Sequence, residues 1–273
     1  MNKDETELQG ECIHSETGAY GEVRVFENDS LRWLQFDNDA VQSIMSLQYP
    51  DRIALPYMQQ MMAALLFCDH PPCRALMLGM GGGAMLRFLR HCLKHISFEV
   101  VERDAHVIRI ANEYFNVGHD GEDVIVEHDD VDTYIANHKG IFDLLLLDII
   151  EDMSTPTCFF DESFFQHCRN RCGETGVFAM NLIVENEDAF KTIYTSIRKA
   201  FEGRVVCLTD PDHSNIVVLA FAHQPDHVER QLLQERAELL STCHIDLSLA
   251  IDTIFEVNPN ENERLDFSIR TAE

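Results

Sequence analysis

Four glycines within five residues are the first feature of this sequence that could do chemistry. The segment "GMGGG", residues 79–83, separates the apolar run 75–78 from a helix-like pattern that begins at Ala84. A glycine loop lets a ligand approach the backbone because no Cβ atom stands in the way, and the helix start offers free N–H groups. We therefore expect this loop to hold a nucleoside or nucleotide. The residues concerned are Gly79, Gly81, Gly82 and Gly83.

Three acidic residues follow the loop at positions suited to binding a nucleoside. Glu102 stands 23 residues after Gly79, where an acid typically bonds ribose hydroxyls. Asp129 could accept a hydrogen bond from an adenine amino group, or it could cap the following helix. Asp148 ends the run "LLLLD", where it could face a ligand or simply end a strand. Because the glycine spacing also fits dinucleotide binders, only Asp129 and Asp148 favour an adenosyl sulfonium donor over NAD.

The elements that must position these residues alternate between strands and helices from residue 75 onward. The apolar runs are short and nearly uniform, which is typical of strands buried on both faces of a parallel sheet. We predict strands at 75–78, 98–101, 124–126, 142–147, 176–180, 204–208 and 216–220. We predict helices at 85–94, 104–115, 131–137 and 187–201. The sequence thus predicts a doubly wound α/β fold.

Three domains follow from the chain's changes in pattern. Residues 1–54 form a small β-rich domain, with a hairpin at 23–36, a third strand at 41–45 and a loosely ordered first 18 residues. Residues 55–223 form the nucleoside-binding catalytic domain, which opens with a helix at 55–67. Residues 224–273 form a helical extension, with a helix at 227–240 and an aperiodic acidic tail.

The formal net charge is −26, from 21 Lys and Arg against 47 Asp and Glu. Such a charge repels phosphate backbones, so nucleic-acid binding is not expected. No apolar stretch reaches the roughly 18 residues of a membrane helix, and the polar N-terminus does not read as a signal peptide. We expect a cytoplasmic protein with reduced cysteines. The pairs His91/His95 and Cys168/Cys172 lack a third ligand nearby, so no metal site is predicted.

Taken together and in order, these motifs resemble the spermidine synthase family of aminopropyltransferases. The resemblance runs from Tyr20 to Ala222 and rests on "LMLGMGGGAMLRFLRH", "EVVERDAHVI", "VEHDDVDTYI" and "FDLLLLDIIED". It implies a seven-stranded methyltransferase-like, Rossmann-like sheet behind a small N-terminal β-hairpin domain, and a homodimer. It also implies a small-molecule amine, or another small nucleophile, as acceptor.

The resemblance also assigns roles to individual residues. The donor would be decarboxylated S-adenosylmethionine or S-adenosylmethionine itself, without a metal. Gly81 and its neighbours would hold the sulfonium tail, and Asp148 would be the catalytic aspartate. The further positions are Gln42 at the donor nucleoside, Glu102 at the ribose, Asp129 at the adenine and Glu151 as a second catalytic acid.

Several acceptor-binding positions depart from the family pattern. The glycine loop ends in Ala84 and contains no aspartate, Gln59 stands where the family has a glutamate, and Asn181 lies in place of the family's glutamine segment. Three functions therefore stay open at this point. They are aminopropyl transfer to an unusual acceptor, methyl transfer on the same fold, and nucleoside binding without catalysis.

Overall fold

The computed structural model of the chain describes residues 8–37, 40–118, 123–149, 155–209, 214–223 and 227–267. Its N-terminal part is a four-stranded antiparallel sheet in chain order. The second and fourth strands alternate buried and less buried residues, so one face of the sheet is buried against the rest of the protein. They are β1 (Glu11–Gly18), β2 (Gly21–Glu27), β3 (Leu31–Phe36) and β4 (Val41–Ser46).

A seven-stranded sheet forms the centre of the molecule. Its strands are β5 (Arg74–Leu78), β6 (Ser97–Glu102), β7 (Val124–His128), β8 (Phe142–Leu147), β9 (Cys172–Leu182), β10 (Val205–Thr209) and β11 (Ile216–Phe221). Their spatial order is β10-β11-β9-β8-β5-β6-β7. Strands β5 to β9 pair in parallel, whereas β11 runs antiparallel to both of its neighbours. A small two-stranded sheet joins β12 (His227–Glu229) to β13 (Arg264–Asp266).

Helices cover both faces of the central sheet, as the uniform apolar strands require. Residues alternate between the two cores along each strand: Met77 faces one core, and Leu76 and Leu78 face the other. Within the described ranges, no helix is both long and apolar enough to cross a bilayer. The helices are α1 (Pro56–Met61), α2 (Ala84–Cys92), α3 (Ala105–Tyr114), α4 (Val131–Asn137), α5 (Glu162–Arg171), α6 (Glu187–Ala200), α7 (Arg230–Leu240) and α8 (Ser248–Val257).

The predicted fold class is confirmed, whereas two local predictions are wrong and one predicted helix is divided in two. Residues 11–18 form β1 and are not loosely ordered, because their backbone pairs with β2 although their side chains are mostly exposed. The helix predicted at 55–67 is α1 followed by the 3-10 helix Met62–Phe67. The acidic tail contains α8, which packs its apolar side chains into the core.

Buried Arg87 of α2 links the segment that follows the N-terminal sheet to the glycine loop. Its guanidinium donates to the carbonyls of Pro50 and Phe115, each over 2.8 Å, and to that of Gly82. Burial lowers the pKa of Arg87 to about 10, so the group stays cationic at neutral pH. A buried cation held by three carbonyls fixes the position of the loop that precedes its helix.

Edge strand β10 is covered by one side chain from the end of α8. Asn258 accepts from the Cys207 N–H over 2.8 Å and donates to the Cys207 carbonyl over 2.7 Å. We expect Asn258→Ala to lower the free energy of unfolding by about 1–3 kcal/mol, because it leaves two strand groups unpaired. Urea denaturation measures this loss. Asn170→Ala, at an exposed position of α5, is the matched control, and equal stability of both variants would contradict the prediction.

Candidate functional site

The carboxyl edge of the central sheet brings the predicted site residues together. Gly79, Glu102 and Asp148 lie at the ends of β5, β6 and β8, which are neighbours in the order β8-β5-β6. The carboxyl ends of parallel strands meet at one edge, where open α/β sheets bind ligands.

A cavity of about 420 Å³ opens at this edge. One wall is the end of the central sheet with the start of α2, and the opposite wall is the N-terminal sheet, which contributes Val23, Phe36 and Gln42. The structure thus brings the predicted residue Gln42 to the same space as Gly81 and Glu102. A volume of this size is that of a small-molecule site.

The four loop glycines occupy different surroundings. A Cβ on Gly79, where φ is +96°, would lie 2.1 Å from the Asp148 carbonyl oxygen, so glycine lets β5 and β8 end side by side. Gly81 lines the cavity, and a Cβ there would come no closer than 3.9 Å to another residue. Gly82 packs on Ser43 of β4, and Gly83 packs on Val117 in the loop that follows α3; neither lines the cavity. The loop therefore offers Gly79 and Gly81 to a ligand.

Glu102 joins the glycine loop to the start of α3. Its Oε2 accepts from the Met80 N–H over 3.1 Å, and its Oε1 accepts from the Asp104 N–H over 3.0 Å. Burial raises the pKa of Glu102, and these two backbone hydrogen bonds act against that rise. Each carboxylate oxygen keeps a second lone pair, so the group can still accept from two hydroxyls of a ligand.

Asp148 follows β8, and both of its carboxylate oxygens are held by neutral donors. The Tyr57 hydroxyl donates to Oδ2 over 3.1 Å, and Asn181 Nδ2 donates to Oδ1 over 2.9 Å. Burial raises the pKa of Asp148, and the two hydrogen bonds partly offset it. Burial and the neighbouring carboxylate raise the pKa of Tyr57 well above its ordinary value, so the phenol stays a donor. A carboxylate held in this way beside a cavity can accept a proton from a bound nucleophile.

The cavity wall is strongly acidic. Counted over the described residues, six carboxylates and one guanidinium line it, and that guanidinium, of Arg103, stacks 4.6 Å from the centre of the Tyr20 ring. Clustered carboxylates raise the local concentration of cationic ligands. The carboxylates belong to Glu102, Asp104, Asp130, Asp132, Asp148 and Asp161.

Three residues that the sequence analysis singled out do not belong to this group of cavity residues. Asp129 ends β7, but its Oδ1 accepts from the next backbone N–H, while Asp130 lines the cavity and caps α4. Gln59 donates to the Ile53 carbonyl over 3.0 Å and does not line the cavity. Glu151 lies outside the described residues.

Comparison with known proteins shows the family to which the chain belongs. The model of the spermine/spermidine synthase domain matches residues 55–226. The chain belongs to the spermine/spermidine synthase family. The polyamine aminopropyltransferase of Chromobacterium violaceum is 30% identical over 223 residues, which cover 81% of this chain and 84% of that one. The polyamine aminopropyltransferase of Neisseria meningitidis serogroup A is 29% identical over 246 residues, covering 90% and 93%. The predicted family and the predicted enzyme class, a transferase, are confirmed.

Solved structures share the fold of this spermine/spermidine synthase family member. A probable spermidine synthase from Corynebacterium glutamicum matches with a TM-score of 0.72 at 19% identity, covering 83% of this chain and 86% of that chain. Human methyltransferase-like protein 13 in complex with SAH matches with a TM-score of 0.63 at 19% identity, covering 70% and 92%. The fold is therefore shared by a probable spermidine synthase and a methyltransferase-like protein, so the fold alone does not decide the reaction.

Proposed function

We propose that the protein transfers an aminopropyl group from decarboxylated S-adenosylmethionine to a small amine. The observation that carries the proposal is Asp148, oriented by Tyr57 and Asn181 at the wall of an acidic cavity. Glu102 would take the donor's ribose, with Gly79 and Gly81 beside it. The similarity to polyamine aminopropyltransferases, over 81–90% of this chain, supports this assignment.

The reaction is a single displacement at the carbon next to the positive sulfur. The amine nitrogen forms the new C–N bond, the C–S bond breaks, and its electron pair neutralises the sulfur of methylthioadenosine. An alkyl amine has a pKa near 10.4, so presenting it neutral at pH 7 costs about 4.6 kcal/mol. Asp148 would lower this cost by accepting the amine's proton. Holding donor and amine together supplies about 7–11 kcal/mol of the barrier reduction.

The acidity of the wall supports the decarboxylated donor. That donor carries a sulfonium and an ammonium, whereas intact S-adenosylmethionine adds a carboxylate. A wall of six carboxylates and one guanidinium attracts the decarboxylated donor more strongly than intact S-adenosylmethionine. The acceptor, a second cation at neutral pH, is favoured by the same charges.

Methyl transfer is the second candidate, and the start of α2 is the observation that favours it. Ala84 lines the cavity at the first position of this helix, and no side chain caps its N-terminus. The free N–H groups could donate to the carboxylate of intact S-adenosylmethionine, and the helix dipole could stabilise its charge. No acidic side chain of the loop itself opposes that carboxylate.

Mass spectrometry of the spent donor decides between the two reactions. We expect methylthioadenosine from the decarboxylated donor with a panel of diamines and monoamines, and no S-adenosylhomocysteine from the intact donor. Formation of S-adenosylhomocysteine with a methylated acceptor would replace our proposal by methyl transfer. Nucleoside binding without any product across the panel would mean that the protein binds the nucleoside without catalysis.

A further inference from the structure

A row of two side-chain amides leads from the residue before β11 to Asp148. Asn215 Nδ2 donates to Asn181 Oδ1 over 2.9 Å, and Asn181 Nδ2 donates to Asp148 Oδ1 over 2.9 Å. We call Asn215 and Asn181 the amide row. Asn181 is buried and 2% exposed, so its amide cannot exchange these partners for bulk water.

The register of the sheet accounts for the position of the row, with Asn215 directly preceding β11. Asn181 lies opposite Val217 in the antiparallel pair of β9 and β11, and Asn215 is two residues before Val217 on the same face. In the parallel pair of β8 and β9, Leu147 lies opposite Met180, so Asp148 comes next to Asn181. Because β11 is antiparallel, its amino end lies at the edge where β8 and β9 end.

We infer that Asn215 is a positioning residue, which acts through Asn181 to present an N–H group to Asp148. An asparagine amide has nearly the same shape in its two flipped orientations, so only its hydrogen bonds decide which end faces a neighbour. The donor on Asn215 requires the Asn181 oxygen, which leaves the Asn181 NH₂ for Asp148. Without Asn215, the buried Asn181 oxygen loses its donor, and Asp148 alone opposes the flip that would turn this oxygen toward the carboxylate.

The inference rests on the proposed function, since the amide row matters only if Asp148 is the base. Burial raises the pKa of Asp148, and the Asn181 hydrogen bond opposes that rise. Tyr57, the titratable side chain that touches Asp148 from α1, stays protonated. Loss of the Asn181 donor would therefore move the acid limb of the turnover profile to higher pH.

A double-mutant cycle with pH profiles tests the inference. We expect Asn215→Ala to lower kcat up to about 100-fold, to shift the acid limb upward, and to leave methylthioadenosine affinity unchanged. Asn215→Asp should be slower still, because a carboxylate only accepts and so favours the flipped Asn181. In an Asn181→Ala background, Asn215→Ala should change kcat less than about twofold, since the partner through which it acts is gone.

Two outcomes would overturn the inference. One is an unshifted acid limb in Asn215→Ala, and the other is an equal loss from Asn215→Ala with and without Asn181. Ser214→Ala, at the exposed neighbour, is the control and should keep the wild-type profile, and thermal unfolding checks that each variant is folded. A wild-type chain that forms no methylthioadenosine would instead refute the proposed function, so the two failures are distinguishable.

Discussion

Asp148→Asn lowers the turnover number by about 10²–10⁴-fold, the range typical of removing a general base, and leaves methylthioadenosine affinity nearly unchanged. The substituted amide keeps the shape of the side chain but cannot take the acceptor's proton. The Tyr57 hydroxyl, which donates to Asp148 in the wild type, can instead accept from the new NH₂. The expected loss of turnover therefore comes from the missing proton transfer and not from a change in packing. Steady-state kinetics and calorimetry measure the two quantities.

Asp143 offers the matched control for Asp148. It lies on the same strand, β8, toward its amino end, and accepts from the backbone N–H groups of Cys73 and Arg74 over 2.8 and 2.9 Å. Asp143→Asn should reduce stability without changing turnover. If Asp148→Asn kept wild-type turnover, Asp148 would be removed from the mechanism. Because burial raises the pKa of Asp148, wild-type turnover should rise with pH through a value above that of an ordinary aspartate.

The sequence predicted the central sheet well because its strands are buried on both faces and leave uniform apolar runs. It missed β1, whose side chains are polar and largely exposed and whose stability comes from backbone pairing with β2. It also missed α8, although Ala250, Ile251, Ile254 and Phe255 follow helical spacing. The acidic residues around α8 hid that signal.

The part of the site whose residues directly follow a strand could be predicted from the sequence. Glu102 and Asp148 each follow an apolar run, and parallel strands bring such ends together. Asn215 could not be found in this way, because its role depends on β11 being antiparallel and on its register with β9. The packing of Gly82 on Ser43 is likewise a contact between the glycine loop and the N-terminal sheet, which no local pattern encodes. Contacts between residues far apart in the sequence can be recognised only once the fold is known.

Glu102→Gln weakens the binding of methylthioadenosine by about 10-fold to 150-fold, which corresponds to about 1.5–3 kcal/mol for hydrogen bonds to a charged acceptor. The carboxylate accepts from Met80 and Asp104 N–H groups at once. An amide can accept at one end only, so its NH₂ meets a backbone donor and the loop loses one of its two fixed points. The ligand's hydroxyls also lose a charged acceptor. Calorimetry with methylthioadenosine measures the change.

Glu99→Gln on the same strand is the matched control, since Glu99 bonds Arg74 and Tyr134 and does not line the cavity. Its variant should bind methylthioadenosine as the wild type does. The pH dependence separates charge from shape. Burial raises the pKa of Glu102, so wild-type affinity is full above that raised value and falls as the pH drops through it, whereas Glu102→Gln should show a flat profile. Equal affinity of wild type and Glu102→Gln at neutral pH would mean that the adenosine part of the donor does not bind at the end of β6.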